Sequence, residues 1–194
     1  MALRSLSVVA LILAMMAPEW AVSADNCTLS NLLALRAEIR EASAAFTQER
    51  HIHYIHYPLV SSGHLRFVAP DHLEMIVDSP EAESFIFDDG VLSFNKPGEE
   101  ATDQISVDSN SLLSAMFSGL IGTLSGNEQE LKRVFFVKFD AAECNWRMSL
   151  TPKSKRVLEK VLTIELKGSE QHIREVNISQ TNGDYSTLRI AEHQ

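Results

Sequence analysis

The side chains that could do chemistry in this chain fall into a few small groups. The sharpest is His51-Ile52-His53-Tyr54-Ile55-His56. Histidines two apart on a strand point the same way, so His51 and His53 could share a metal while His56 faces the other side. Zinc takes three or four ligands, and the sequence supplies no third one at a recognisable spacing. The run therefore reads as a solvated, histidine-rich strand end, with a pH-responsive role as the second reading and no metal expected. Ser125-Gly126 closes an apolar-periodic stretch and reads as a helix C-terminal cap, since the Gly-x-Ser-x-Gly elbow of a nucleophilic serine is missing from the sequence. Asp88-Asp89 and Glu99-Glu100 fall in turns, where paired carboxylates are solvated and lack the desolvation that general acid–base work usually needs. Phosphate-cradling and dinucleotide fingerprints are also missing. No catalytic residue and no cofactor is expected, and the reading is of a protein that is not an enzyme.

Cys27 and Cys144 are the two cysteines. A chain exported to an oxidising compartment would pair them as a disulfide, the alternative being two buried thiols that never meet. Export is what the N-terminus predicts. Arg4 precedes an apolar run from Leu6 to Ala17, then Pro18 and the small-residue site Val22-Ser23-Ala24, so residues 1–24 read as a secretory signal peptide. The run is too short to span a bilayer, and Asn26 before Cys27 disfavours a lipid anchor at that cysteine. Residues 25–194 read as a single soluble domain, because no linker-like tract or repeat divides them. A net charge of -9 and a pI near 5.2 make nucleic acid an unlikely partner and long residence on anionic headgroups unfavourable.

The elements behind these groups follow from periodicity. Thr28 caps a predicted helix that runs from Leu29 to about Ser43, with Leu29, Leu32, Leu33, Leu35 and Ile39 on one face. Ala44 to Tyr57 then reads as a long strand ended by Pro58, and Leu59 to Val68 returns antiparallel. From Gly63 to Phe94 the alternation puts Leu65 and Phe67, then Leu73, Met75 and Val77, then Phe85 and Phe87, then Leu92 and Phe94 on like-facing positions of successive strands. Pro70-Asp71 and Asp89-Gly90 supply the turns between them. Lys96-Pro97-Gly98 is a predicted hinge, and a weak strand is expected over Gln104 to Val107.

The period changes after that. Asp108 to Leu124 reads as an amphipathic helix bearing Leu112, Leu113, Met116, Phe117 and Leu120, with a break expected near Gly122. Further alternating runs follow, with turns expected at Lys167-Gly168-Ser169 and Asn182-Gly183. The total is nine or ten strands and two substantial helices, an α+β architecture in which a curved antiparallel sheet carries its helices on one side. A sheet face this apolar is either a closed core or a cavity with a helical lid, and periodicity does not separate the two.

Several short matches bear on that choice. Ala45-Phe46-Thr47-Gln48, Gly63-x-Leu65, Pro70 before a strand, Asp89-Gly90-x-Leu92-x-Phe94 and Leu150-Thr151-Pro152-Lys153 resemble, in order and approximate spacing, the periplasmic outer-membrane lipoprotein carrier family LolA. The cysteine pair and the Cys144-Asn145-Trp146 context look like a divergent LolA-like branch. The resemblance implies an incomplete, half-open antiparallel β-barrel with helices forming a lid over a hydrophobic cavity. Phe46, Leu65, Phe67, Leu73, Met75, Val77, Phe85, Phe87, Leu92 and Phe94 would line that cavity. Leu112, Leu113, Met116, Phe117 and Leu120 would form the lid.

A monomeric periplasmic carrier of a lipoprotein or lipid-like amphiphile is the function implied, served by an inner-membrane exporter and an outer-membrane acceptor. A lipid-sensing module using the same cavity is the alternative, and an enzyme on this scaffold a third. In the family, an arginine immediately before the matching proline bonds to the lid. Here that position is Ala69, so closure should rest on apolar packing.

Overall fold

A computed structural model describes residues 27–95, 103–106 and 111–191. The expected signal peptide, the Lys96-Pro97-Gly98 hinge and the start of the second helix at Asp108 or Ser109 lie outside the described residues, as do the side chains of Leu112, Leu113 and Met116.

Thr28 caps α1 (Leu29–Ala37), its hydroxyl accepting from the Asn31 N–H at 3.2 Å. The helix buries Leu32, Leu33 and Arg36, while Leu35 faces solvent and is not on that side. Its predicted extension to Ser43 is corrected. The last turn tightens through Glu38 N–H to Leu35 O and Ile39 N–H to Arg36 O, and β1 (Glu41–His51) begins at once. Glu41, Ala42 and Ser43 are claimed by pairing with Val68, Phe67 and Arg66 of β2 (Leu59–Val68), so a sheet ladder overrides helical periodicity there. The strand also ends earlier than predicted. An Ile55 N–H to Ile52 O bond closes a turn after His51, so residues 52–58 are loop.

The meander continues through β3 (His72–Ser79), β4 (Glu83–Asp88), β5 (Val91–Asn95) and β6 (Asp103–Ser106). Then come α2 (Ser111–Leu124), α3 (Glu128–Val134), β7 (Phe135–Ala142), β8 (Asn145–Pro152), α4 (Lys155–Leu158), β9 (Val161–Ser169), β10 (His172–Gln180) and β11 (Tyr185–Ile190). Eleven strands among the described residues form one antiparallel sheet in the order β6-β5-β4-β3-β2-β1-β11-β10-β9-β8-β7. The order does not close on itself, so the fold is the expected half-open barrel with more strands than predicted.

Turn chemistry sets the register. Asp89 (φ 44°) and Gly90 (φ 77°) join the paired residues Asp88 and Val91, a two-residue turn whose positive φ values match strand twist. Glu143 (φ 50°) and Cys144 (φ 60°) do the same between Ala142 and Asn145 without a glycine. Gly168 is not in a turn, contrary to expectation. It sits within β9, where a Cβ would meet the His172 carbonyl and the Trp146 indole, and the reversal falls two residues later at Glu170 (φ 51°). Nor does Gly122 break α2. The helix ends two residues later in a Schellman motif, with Asn127 N–H bonded to Gly122 O, Gly126 N–H to Thr123 O, and Gly126 at φ 69°.

Two apolar clusters result. One gathers Leu32 and Leu33 of α1, Leu131 of α3, Val157 of α4 and the inner residues of β7 to β10. The other gathers Phe67, Leu73, Phe87 and Leu92 under α2.

Candidate functional site

The alternation predicted for β2 to β5 is reproduced residue by residue in the register. Leu65 pairs with Met75 and Phe67 with Leu73; Leu73 pairs in turn with Phe87 and Met75 with Phe85; Phe85 pairs with Phe94 and Phe87 with Leu92. Directly paired residues project to one face, so these side chains form a continuous apolar wall. The wall bounds a cavity of about 990 Å³. Leu65, Phe67, Leu73, Met75 and Val77 line it from β2 and β3, and Phe85, Phe87, Leu92 and Phe94 from β4 and β5. Phe46 is buried on β1, but it is not among the lining residues.

One helix crosses the cavity. Phe117 of α2 stacks on Phe87 with ring centroids 4.5 Å apart and planes 14° apart. Leu120, Ile121 and Leu124 pack on the same cluster, and so does Ala69. Ala69 brings a methyl group to this contact and no donor, so among the described side chains the contact between the helix and this part of the sheet is apolar. The other side of α2 is anchored by close approach: a Cβ at Gly119 would stand 3.0 Å from the Phe135 ring and 3.3 Å from Leu150.

The far wall was missed in the sequence. Ala42 and Ala44 of β1, Ile173, Val176 and Ile178 of β10, and Leu188 and Ile190 of β11 also line the cavity. Alternation in the last two strands marks an inner face, but the pairing of β1 with β11 is what carries that face round to oppose β2 to β5. Polar lining residues are fewer. Arg50, Glu81, Arg174 and His172 are exposed to solvent, whereas Arg36 is buried.

The chemistry-bearing groups are dispersed. Because β1 ends at His51, His51 and His53 do not share a strand face, which corrects the reading of residues 44–57 as one strand. His51 stacks on Tyr185 at 4.3 Å, and the His53 backbone N–H donates to Asp184 Oδ1 at 2.8 Å. Among the described residues no group of three or more His, Cys, Asp or Glu is placed to hold a metal ion. Ser125 donates its hydroxyl to the Ile121 carbonyl at 2.7 Å, the behaviour of a helix end. Asp88 engages a histidine that was not singled out. His72 lies between Glu74 (Nε2 to Oε1, 2.8 Å) and Asp88 (Nδ1 to Oδ1, 3.4 Å), and these bonds, Glu74 first, hold its pKa above the ordinary value.

Cys27 and Cys144 form a disulfide with Cα atoms 5.3 Å apart, joining the start of α1 to the β7–β8 turn across 117 residues. Nearby, Glu170 N–H bonds to the Cys144 carbonyl at 2.9 Å and Trp146 Nε1 to the Glu170 carbonyl at 2.8 Å. The β7–β8 and β9–β10 turns and the helix are thereby tied into one frame.

The model of a family described as outer membrane lipoprotein carrier protein LolA-like matches residues 18–192. No curated protein matches the chain in sequence. Among solved structures, it is similar to a LolA superfamily protein from Nitrosomonas europaea (8% identity, 85% of this chain and 92% of that one, TM-score 0.44). It is also similar to a DUF1329 family protein from Desulfovibrio piger (10%, 84% and 89%, TM-score 0.47). A chain of the MucA/MucB complex of Pseudomonas aeruginosa is a third (9%, 84% and 55%, TM-score 0.44).

Proposed function

We propose that this chain, which belongs to the outer membrane lipoprotein carrier protein LolA-like family, is a periplasmic carrier that shields the acyl chains of a lipoprotein or lipid-like amphiphile on the way to the outer membrane. The observation that carries this reading is the cavity of about 990 Å³ between a phenylalanine-rich sheet face and α2. That volume lies at the upper end of the ~300–1,000 Å³ typical of small-molecule sites. Each methylene moved from water into it contributes on the order of 0.8 kcal/mol, so ten contribute roughly 8 kcal/mol before the costs of association.

In this reading α2 is the lid. Phe117 and Leu120 touch the wall, Leu112, Leu113 and Met116 extend the same helix, and the contact is released by sliding apolar surfaces without breaking an ion pair. Residues 1–24 act as the secretory signal, and residues 25–194 as one carrier domain that works as a monomer and binds without catalysis. The disulfide fits an oxidising compartment. An inner-membrane exporter supplies the cargo and an outer-membrane acceptor receives it.

Native mass spectrometry of protein purified from periplasm tests the reading. An acyl-bearing adduct is expected on the wild type and at least a tenfold loss of it in Leu73→Asp or Phe87→Asp, whose new carboxylate would face the cavity. A wild type that is always empty, and that binds neither a purified diacyl lipid nor a purified lipoprotein, overturns it.

A further inference from the structure

Arg36 is the feature that the apolar reading leaves unexplained. It lies on the face of α1 that buries Leu32 and Leu33, one turn further on, and it lines the cavity. Only 5% of it is exposed, and among the described residues the other buried polar side chain is Thr123, whose hydroxyl is satisfied by the Gly119 carbonyl. Arg36 Nη1 donates to the Gln171 carbonyl at 3.2 Å, while Nε is buried with no hydrogen-bond partner among the described residues. Burial pulls its pKa below the ordinary value, whereas Glu41 and Glu130 raise those of the exposed Arg66 and Arg133.

A buried guanidinium with an unmet donor destabilises the protein that carries it, and an apolar side chain of similar size would be expected to do better. Its position is nevertheless fixed from both sides. The disulfide anchors α1 to the β7–β8 turn, and that turn is bonded to Glu170, next to the Gln171 carbonyl that Arg36 uses. The guanidinium is therefore held at the cavity wall before any ligand arrives.

We propose that Arg36 binds the head of the cargo, the edge of its guanidinium that lines the cavity taking the anionic oxygens of an acidic lipid whose acyl chain lies against Phe67, Phe85 and Phe87. This rests on the carrier reading and narrows the cargo to amphiphiles with a phosphate or carboxylate close to the chain. Arginine suits the role because its planar fork matches both anions, and charge-assisted bonds in a low-dielectric site are strong. Arg50 and Arg174 also line the cavity, as do Glu81, Glu83 and Glu170, and among these charged groups Arg36 is the buried one.

The test is titration calorimetry on delipidated protein with three probes of equal chain length: palmitoyl lysophosphatidate, palmitate and neutral monopalmitoylglycerol. The wild type should bind at least one acidic probe about tenfold more tightly than the neutral one, the equivalent of a single charge-assisted hydrogen bond. Which acidic probe wins tells phosphate from carboxylate. Arg36→Met should reduce the preference to less than about twofold, keep the affinity for monopalmitoylglycerol, and raise the melting temperature of the empty protein by ~2–4 °C. Arg36→Lys should keep part of the preference. A wild type that binds the neutral probe as well as the acidic ones overturns the assignment and leaves the carrier reading standing. So does an Arg36→Met variant that weakens all three equally. Failure of all three probes overturns the assignment and leaves the carrier reading to its own test with a diacyl lipid and a lipoprotein; Arg36→Lys, which keeps the charge, is the variant to use if Arg36→Met does not fold.

Discussion

The two ends of the sheet are built from the same alternation and have opposite interiors. At the β7 to β10 end, Met148, Leu150, Leu166 and Leu131 are 0% exposed, because α1, α3 and α4 fill the concave side. At the β2 to β5 end, α2 alone crosses among the described residues. There the best-covered residues, Phe67, Leu73, Phe87 and Leu92, keep 3–8% exposure, and Met75, Phe85 and Phe94 are only half-buried. An apolar strand face becomes a core where helices fill the space over it and a cavity where one helix bridges it. The first end supplies stability, so the second can remain unfilled.

The largest effect should come from cutting the closed end loose. Replacing Cys27 and Cys144 by serine releases a loop of 117 residues and should cost about 4–5 kcal/mol by loop-entropy arithmetic, read by urea denaturation. Next, Phe135→Ala should cost about 3–5 kcal/mol, again read by urea denaturation. Phe87→Ala, the matching truncation in the cavity wall, should cost less than about 2 kcal/mol, since that ring already borders empty space, and should weaken binding of a fluorescent fatty acid severalfold. Equal losses of stability from Phe135→Ala and Phe87→Ala would erase the distinction between the two ends.

Phe117→Ala removes the stacked ring of the lid and should speed fatty-acid release in stopped flow with little change in melting temperature. The smallest effect is electrostatic. The folded pKa of His72 is raised, chiefly by Glu74, so its stabilisation is fully present below the unfolded value of 6.5 and is lost as pH rises through the folded value. Melting temperatures measured from pH 5.5 to 8 should therefore decline slightly in the wild type relative to His72→Gln.

The parts that were legible beforehand are those with a local physical cause. Thr28 as a cap, Asp89-Gly90 as a turn and the rows Leu65–Met75 and Phe85–Phe94 all follow from residues adjacent in sequence or joined by short hairpins. Two of the errors occurred where a distant partner decides. Residues 41–43 are strand because β2 pairs with them, and Gly168 still belongs to β9 because Trp146 pairs across from it. Arg36, on a helix whose period alone marks position 36 as inward, gave no sign that its charge would be buried. That depends on the β9–β10 turn, 135 residues away.

Sequence alone thus determined the strands, their inward faces and the resemblance that led to the LolA-like family, because alternation and turn chemistry act over a few residues. Only the tertiary structure decided that one apolar face is filled and the other open, that β10 and β11 form the far wall, and that one buried arginine faces the space between. Those outcomes depend on how many helices fit over a curved sheet, a matter of packing between segments far apart in the chain.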